Sequence, residues 1–210
     1  MSGVVCVNNF VDSKDNGKIY GVVVGVVIDN DSANHSDKPG PGRVKVKIPL
    51  LGMQESNWAR IMSFMAGSDR GAFFLPEKDD EVLVAFENGD VNRPYIIGAL
   101  WNGKDTPPET NSDGENSTRI IKSKSGHVFK FSDKEGEESI QIVDKSGNNK
   151  IVINTKDNLI TVSSDKDIEF SAPNGKIAID AKSIEMKSSA ETTIEASADM
   201  TVKGATVNIN

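Results

Sequence analysis

The sequence predicts an all-β protein in two unlike halves: a five-stranded barrel of the OB type, then a repetitive shaft that several copies of the chain build together. Three observations carry this expectation. Alternating or β-branched apolar runs fill residues 20–100, a proline-containing acidic segment without a large apolar residue covers 105–118, and apolar strand triplets recur about every eighth residue from 151 onward.

Composition narrows the function classes first. The chain has 210 residues with 31 Asp plus Glu against 24 Lys plus Arg, a formal charge of −7. With a pI near 4.9 and no Lys/Arg cluster, it lacks the basic stripe that phosphate binding requires. Apolar residues make up 37% and aromatics 6%, too few for one large core. Cys6 is the single cysteine, and His35 and His127 stand far apart, so no intramolecular disulfide or structural zinc cluster is expected. The first twenty residues lack the continuous apolar stretch of a signal peptide, and nowhere do about 18 apolar residues run together. The chain is therefore expected to be made in the cytoplasm and to be soluble.

Residues 1–18 form an N-terminal segment that the barrel does not need, although Val4, Val5, Val7, Phe10 and Val11 give it an apolar side. The barrel is placed at 19–104. Its first strand is the β-branched run 20–28, followed by a long polar Pro/Gly loop from Asp29 to Gly42. Strict alternation over 43–48 then sets Val44, Val46 and Ile48 on one face and Arg43, Lys45 and Lys47 on the other, a half-buried antiparallel strand. Residues 58–64 are the third strand and 81–87 the fourth. The fourth meets Asn88-Gly89, a dipeptide suited to the positive φ angles of a type I′ hairpin turn. The fifth is 94–100. Five short strands with a long first loop fit a Greek-key barrel of the OB kind.

The segment 105–118 reads as an exposed linker carrying Pro107-Pro108 and four acids with no base. The net charge divides into −2 before it, −4 within it and −1 after it, so the acidity says little about a binding partner. Both tryptophans, both tyrosines and seven of the eight prolines lie before residue 110; after Phe131 the single aromatic is Phe170. The two halves must therefore pack by different means.

Residues 119–210 form the shaft. The repeated triplets place Ile151 and Ile153, Ile160 and Val162, Ile168 and Phe170, Ile177 and Ile179, Ile184 and Met186, Ile194, Met200 and Val202, and Val207 and Ile209 on one side, with a mostly polar residue between. These fifteen residues are the expected core of the shaft. Successive triplets are separated by seven to nine residues, an octad too short for a single-chain β-helix. One octad buries too little to order itself, so partner chains must supply strand pairing and burial. Three chains winding around a triangular prism satisfy both needs.

Several ordered motifs carry a family resemblance. Pro41-Gly-Arg-Val-Lys-Val-Lys-Ile-Pro49, Trp58-Ala-Arg60, Gly71-Ala-Phe-Phe-Leu-Pro76, Asp80-Glu-Val-Leu-Val-Ala-Phe86, Gly89-Asp90, Arg93-Pro94 and Gly98-Ala-Leu-Trp-Asn-Gly103 resemble the OB domain of the phage baseplate assembly protein V and VgrG spike family. The resemblance continues through 119–129, which looks like that family's entry into its triple-stranded β-helix. It implies a homotrimeric central spike of a phage baseplate, phage-tail-like bacteriocin or related injection system, driven through the target envelope by sheath contraction. By the same resemblance Val5, Val7 and Phe10 would dock on a separate baseplate hub protein, with a local strand added to the barrel as the alternative role of this segment. A PAAR-type tip protein would cap the other end at Val207, Ile209 and Asn210. No lysozyme domain separates barrel from shaft, and no enzyme activity or cofactor is expected. Within the barrel, the simplest role of Trp58, Phe73 and Phe74 is as core or interface aromatics, and of Arg60 and Arg93 as surface or inter-subunit charges.

Candidate catalytic groups are sparse. Asp29/Asp31 and Asp79/Asp80/Glu81 come nearest to paired carboxylates, yet both sets sit in or beside turns, where Asp is favoured for local hydrogen bonding. Gly40-Pro-Gly42 lacks the Lys-Ser/Thr of a phosphate loop. Two rivals stay open on sequence: an OB-fold nucleic-acid binder with a disordered tail, and a glycan-binding tailspike or adhesin.

Overall fold

The computed structural model describes residues 17–209. The expected hub-docking residues Val5, Val7 and Phe10, and Asn210 of the expected tip contact, lie outside the described residues.

The first half is a closed barrel. Its strands are β1 (Val23–Asp29), β2 (Arg43–Ile48), β3 (Gln54–Glu55), β4 (Ala59–Ile61), β5 (Ala66–Gly67), β6 (Arg70–Gly71), β7 (Glu81–Phe86) and β8 (Pro94–Leu100). The hydrogen-bonded order β1-β7-β8-β4-β2 returns from β2 to β1, which closes five strands into a ring; β4 and β8 run parallel and the other contacts are antiparallel. Alternation in the sequence decides which side chains fill it. Val44, Val46 and Ile48 from β2 point inward with Val82, Val84 and Phe86 from β7, joined by Val23, Val27, Ala59 and Ile96. Gly25 lies where β1 crosses this core. A Cβ there would sit 3.0 Å from Val84 Cγ2 and 3.2 Å from Val46, so the close approach requires glycine.

Two expectations need correcting. The third strand is shorter than 58–64, because the chain leaves the sheet after Ile61 into an irregular loop. Asn88-Gly89 does take positive φ at both residues, 52° and 76°, but inside a longer connection in which Asp90 and Arg93 donate their backbone N–H groups to Glu87 and Asp90 carbonyls. It is therefore not a two-residue hairpin.

Segment 101–117 carries no strand but is held by local hydrogen bonds at several points. Asn102 Oδ1 accepts from the backbone of Lys104 and Asp105, and Asn111 Oδ1 from that of Asn116. Arg119 donates to the Asn116 and Thr118 carbonyls.

The second half opens with a sheet that the octads did not foretell. Strands β9 (Thr118–Lys122), β10 (Val128–Ser132), β11 (Ser139–Val143), β12 (Lys150–Asn154) and β13 (Leu159–Ser163) form an antiparallel meander, each paired to its neighbour in sequence. Strands expected to interleave with other chains from 119 onward thus find their partners within one chain as far as Ser163. The cause is local: four connections of four to six residues, rich in Gly, Asn, Asp and Ser, allow each strand to fold back. Residues 164–209 have no assigned strand in the single chain.

Candidate functional site

The meander has one apolar face, and its register can be followed side chain by side chain. One row across the sheet reads Ile121, Phe129, Ile142, Ile151 and Val162; the next reads Arg119, Phe131, Ile140, Ile153 and Ile160. Residues two apart on a strand share a face, so nine large apolar side chains line one surface with a single arginine at its margin. Phe129 and Phe131 meet edge to face with centroids 4.9 Å apart. The reverse face carries Ile120, Lys130, Gln141, Val152 and Thr161. Polarity and exposure run opposite to the usual pattern: Ile142 is 51% and Ile160 67% exposed. A groove of about 770 Å³ runs along the first row and reaches Ile168.

Four predicted core residues, Ile151, Ile153, Ile160 and Val162, therefore lie on one face. The other eleven, from Ile168 to Ile209, fall in the strandless stretch, where all of them are exposed and all but Ile168 are more than half exposed. Sequence reasoning missed Ile121, Phe129, Phe131, Ile140 and Ile142. For the last four the signal was present in the period-two patterns of 128–132 and 139–143, outside the octad series.

Several charges of the barrel surface are paired. Lys45 lies 3.9 Å from Asp37 and over the Trp58 ring, and Lys47 lies 3.9 Å from Glu55. Trp58 is buried and its indole N–H donates to Asp37, and His35 contacts both. Burial pushes the Asp37 carboxyl up, but the His35 and Trp58 hydrogen bonds and the Lys45 charge outweigh it and hold it below the usual range. Arg60 stacks on Tyr95, whose hydroxyl donates to Glu87, and Arg93 pairs with Glu87 at 3.5 Å. A strand whose lysines face carboxylates offers little to a phosphate backbone.

The carboxylate sets behave as turn residues. Asp29 accepts from the Asp31 backbone, which with Lys78 lowers its pKa, and Asp80 accepts from the Glu77 backbone at 2.8 Å. Among the described residues no three His, Cys, Asp or Glu side chains converge as metal ligands. None of the described helices is long and apolar enough to cross a membrane.

Comparison with known proteins decides between the barrel's possible kinships. Residues 23–101, from the first residue of β1 to just past β8, match the family described as type VI secretion system/phage-baseplate injector OB domain. The barrel is similar to that injector OB domain, over less than half of the chain. The chain is 33% identical over 110 residues to the actin cross-linking toxin VgrG1 of Vibrio cholerae, covering 48% of the chain and 10% of the relative. It is 35% identical over 82 residues to the type VI secretion system spike protein VgrG3 of Vibrio cholerae, 37% of the chain and 8% of the relative. To the type VI secretion system spike protein VgrG1c of Pseudomonas aeruginosa it is 32% identical over 124 residues, 56% of the chain and 16% of the relative. The chain thus spans less than a fifth of the length of each of these relatives.

Proposed function

We propose that this chain is the homotrimeric central spike of a contractile tail or injection-system baseplate, seated beneath a hub protein. Its work is mechanical: sheath contraction drives it through the target envelope with a PAAR-type tip protein at its point, and no turnover chemistry is required. The observation that carries the reading is the uncovered apolar face of the β9–β13 sheet. Nine large side chains held in one register make a surface that water does not favour, and two further copies of the same face around a common axis would cover it.

Support comes from both sides of that sheet. Upstream, the likeness to the injector OB domain and the spike names of the relatives support a baseplate setting for the barrel. Downstream, the octads from Ile168 to Ile209 leave their apolar residues exposed in a single chain, as expected of strands whose partners are other copies. The meander would then be the head of the shaft, and interleaving would begin only past Ser163. Native mass spectrometry of the full chain tests the reading. The mass of three chains is expected; that of one chain overturns it.

A further inference from the structure

The apolar face of the β9–β13 sheet does not by itself choose the orientation of what covers it, because burial of apolar surface has no direction. Its two margins, however, differ in charge. Lys122, Val128, Val143, Lys150 and Ser163 pair across the sheet at one end of the strands, and Thr118, Ser132, Ser139, Asn154 and Leu159 at the other. At the first end, residues 122–128 and 143–150 hold four lysines against one carboxylate, Asp144. At the second end, residues 132–139 hold four carboxylates against one lysine, Lys134. The other connection on that side, 155–158, adds Lys156 and Asp157, which cancel. Counting Arg119 with the acidic end, and Asp165, Lys166 and Asp167 with the basic one, takes one charge from each excess and reverses neither.

Ion pairs within the chain leave charge over on both sides. Lys124 is taken up by Glu77 of the barrel, and Lys134 by Glu137 in its own turn. The ion pairs among the described residues leave out Lys122, Lys145 and Lys150 at the basic margin, and Asp133, Glu135 and Glu138 at the acidic one. All but the half-buried Glu138 are exposed. A five-residue strand spans about 17 Å, more than the ~10 Å over which charges act on one another at 0.1 M salt, so the two margins do not satisfy each other in one chain. The carboxylates lie in the β10–β11 turn, between the levels of Lys122 on β9 and Lys150 on β12. A second sheet set alongside at the same height therefore brings the two sets together.

We infer that copies of this sheet lie side by side in one sense, the basic margin of each against the acidic margin of the next, and that these charges select the orientation in which the apolar face is covered. The inference deepens the trimeric reading above and rests on it; the occupant is a second copy because the charge left over on one margin is matched by the opposite charge left over on the other. Rotation about an axis along the stack of strands repeats the same basic-to-acidic contact around a closed ring. An inverted copy would bury the same apolar rows but set lysines against lysines and carboxylates against carboxylates, and such like-charge contact suppresses the wrong arrangement.

Charge reversal in the full chain tests this. One variant carries Lys145→Glu with Lys150→Glu, a second carries Glu135→Lys with Glu138→Lys, and a third carries all four. Native mass and the melting of the trimer are recorded for each at roughly 0.02 M and 1 M salt. The expected result is a trimeric parent, a melting temperature lower by about 2–4 °C or more for each two-site variant in low salt, and recovery of at least roughly half that loss in the four-site variant, with the differences fading in high salt. A four-site variant that loses the sum of the two losses, or two-site variants that melt like the parent, overturns the contact between margins and leaves the spike reading standing. A single-chain mass for the parent overturns both.

Discussion

Lys124 Nζ lies 2.8 Å from Glu77 Oε2, and among the described residues this is the ion pair that joins the meander to the barrel. Both side chains are about half exposed or more, 78% and 49%, so water screens the attraction. Lys124→Ala is expected to change the stability of the chain by about 0–1 kcal/mol and no more. Thermal melts at low and high salt check this; a larger, salt-resistant loss would mean that the pair orients the two halves.

Replacing Gly25 tests the barrel core. Gly25→Val adds atoms where Val84 and Val46 already stand at 3.0 and 3.2 Å, and overpacking of this kind costs about 1–3 kcal/mol. Denaturant unfolding should show a lower midpoint. An unchanged midpoint would mean that β1 slides to make room.

Asp37 holds the long first loop to Trp58 across 21 residues. Asp37→Ala leaves the largely buried indole N–H without its acceptor and is expected to cost about 0.5–1.5 kcal/mol. Tryptophan fluorescence should report the change, since Trp101, the other tryptophan, is already exposed to solvent.

The β11–β12 turn has a built-in acid limit. Asp144 accepts hydrogen bonds from the Ser146 hydroxyl and from Asn149, and these lower its pKa from 3.8 to about 2. Because the folded value is depressed, the stabilisation is fully present above the unfolded value and is lost as pH falls through about 2. An NMR titration of the Asp144 carboxyl should give a midpoint near 2, and Ser146→Ala should raise it.

Adjacent residues of β11 separate the two faces of the sheet. Ile142→Asp would place a carboxylate on the apolar face, where an unpartnered polar group costs roughly 2–7 kcal/mol once covered. Gln141→Glu changes the reverse face. Native mass is expected to fall to one chain for the first and to stay at three for the second; the opposite order would place the contact on the polar side.

The barrel was legible because its strands obey period two against a single-chain core. Val44, Val46 and Ile48 alternate in the sequence and are buried in that alternation. The loop after Ile61 was not legible, because its apolar residues follow no period and are held outward by Ser63 and Gly71 rather than by burial. Phe73 and Phe74, read as core or interface aromatics, are not core. Within the shaft, the octad spacing singled out Ile151, Ile153, Ile160 and Val162 but assigned their pairing to other chains. Short turns such as Asp144 to Asn149 bring those pairings into one chain, and a spacing rule does not register turn chemistry. Past Ile168 a lone chain has nothing for its triplets to rest on, so the pattern is written in sequence alone.

The meander also sets an order of events. Its hairpins join neighbours in sequence, so they close in microseconds without any encounter between molecules. Each nascent chain would then reach its fellows with five rungs already built and β13 as the open rung at the bottom. On the trimeric reading proposed above, three such ladders would meet before the remaining strands wind. The timing of assembly, as well as its shape, would follow from where the last within-chain turn falls, at 155–158.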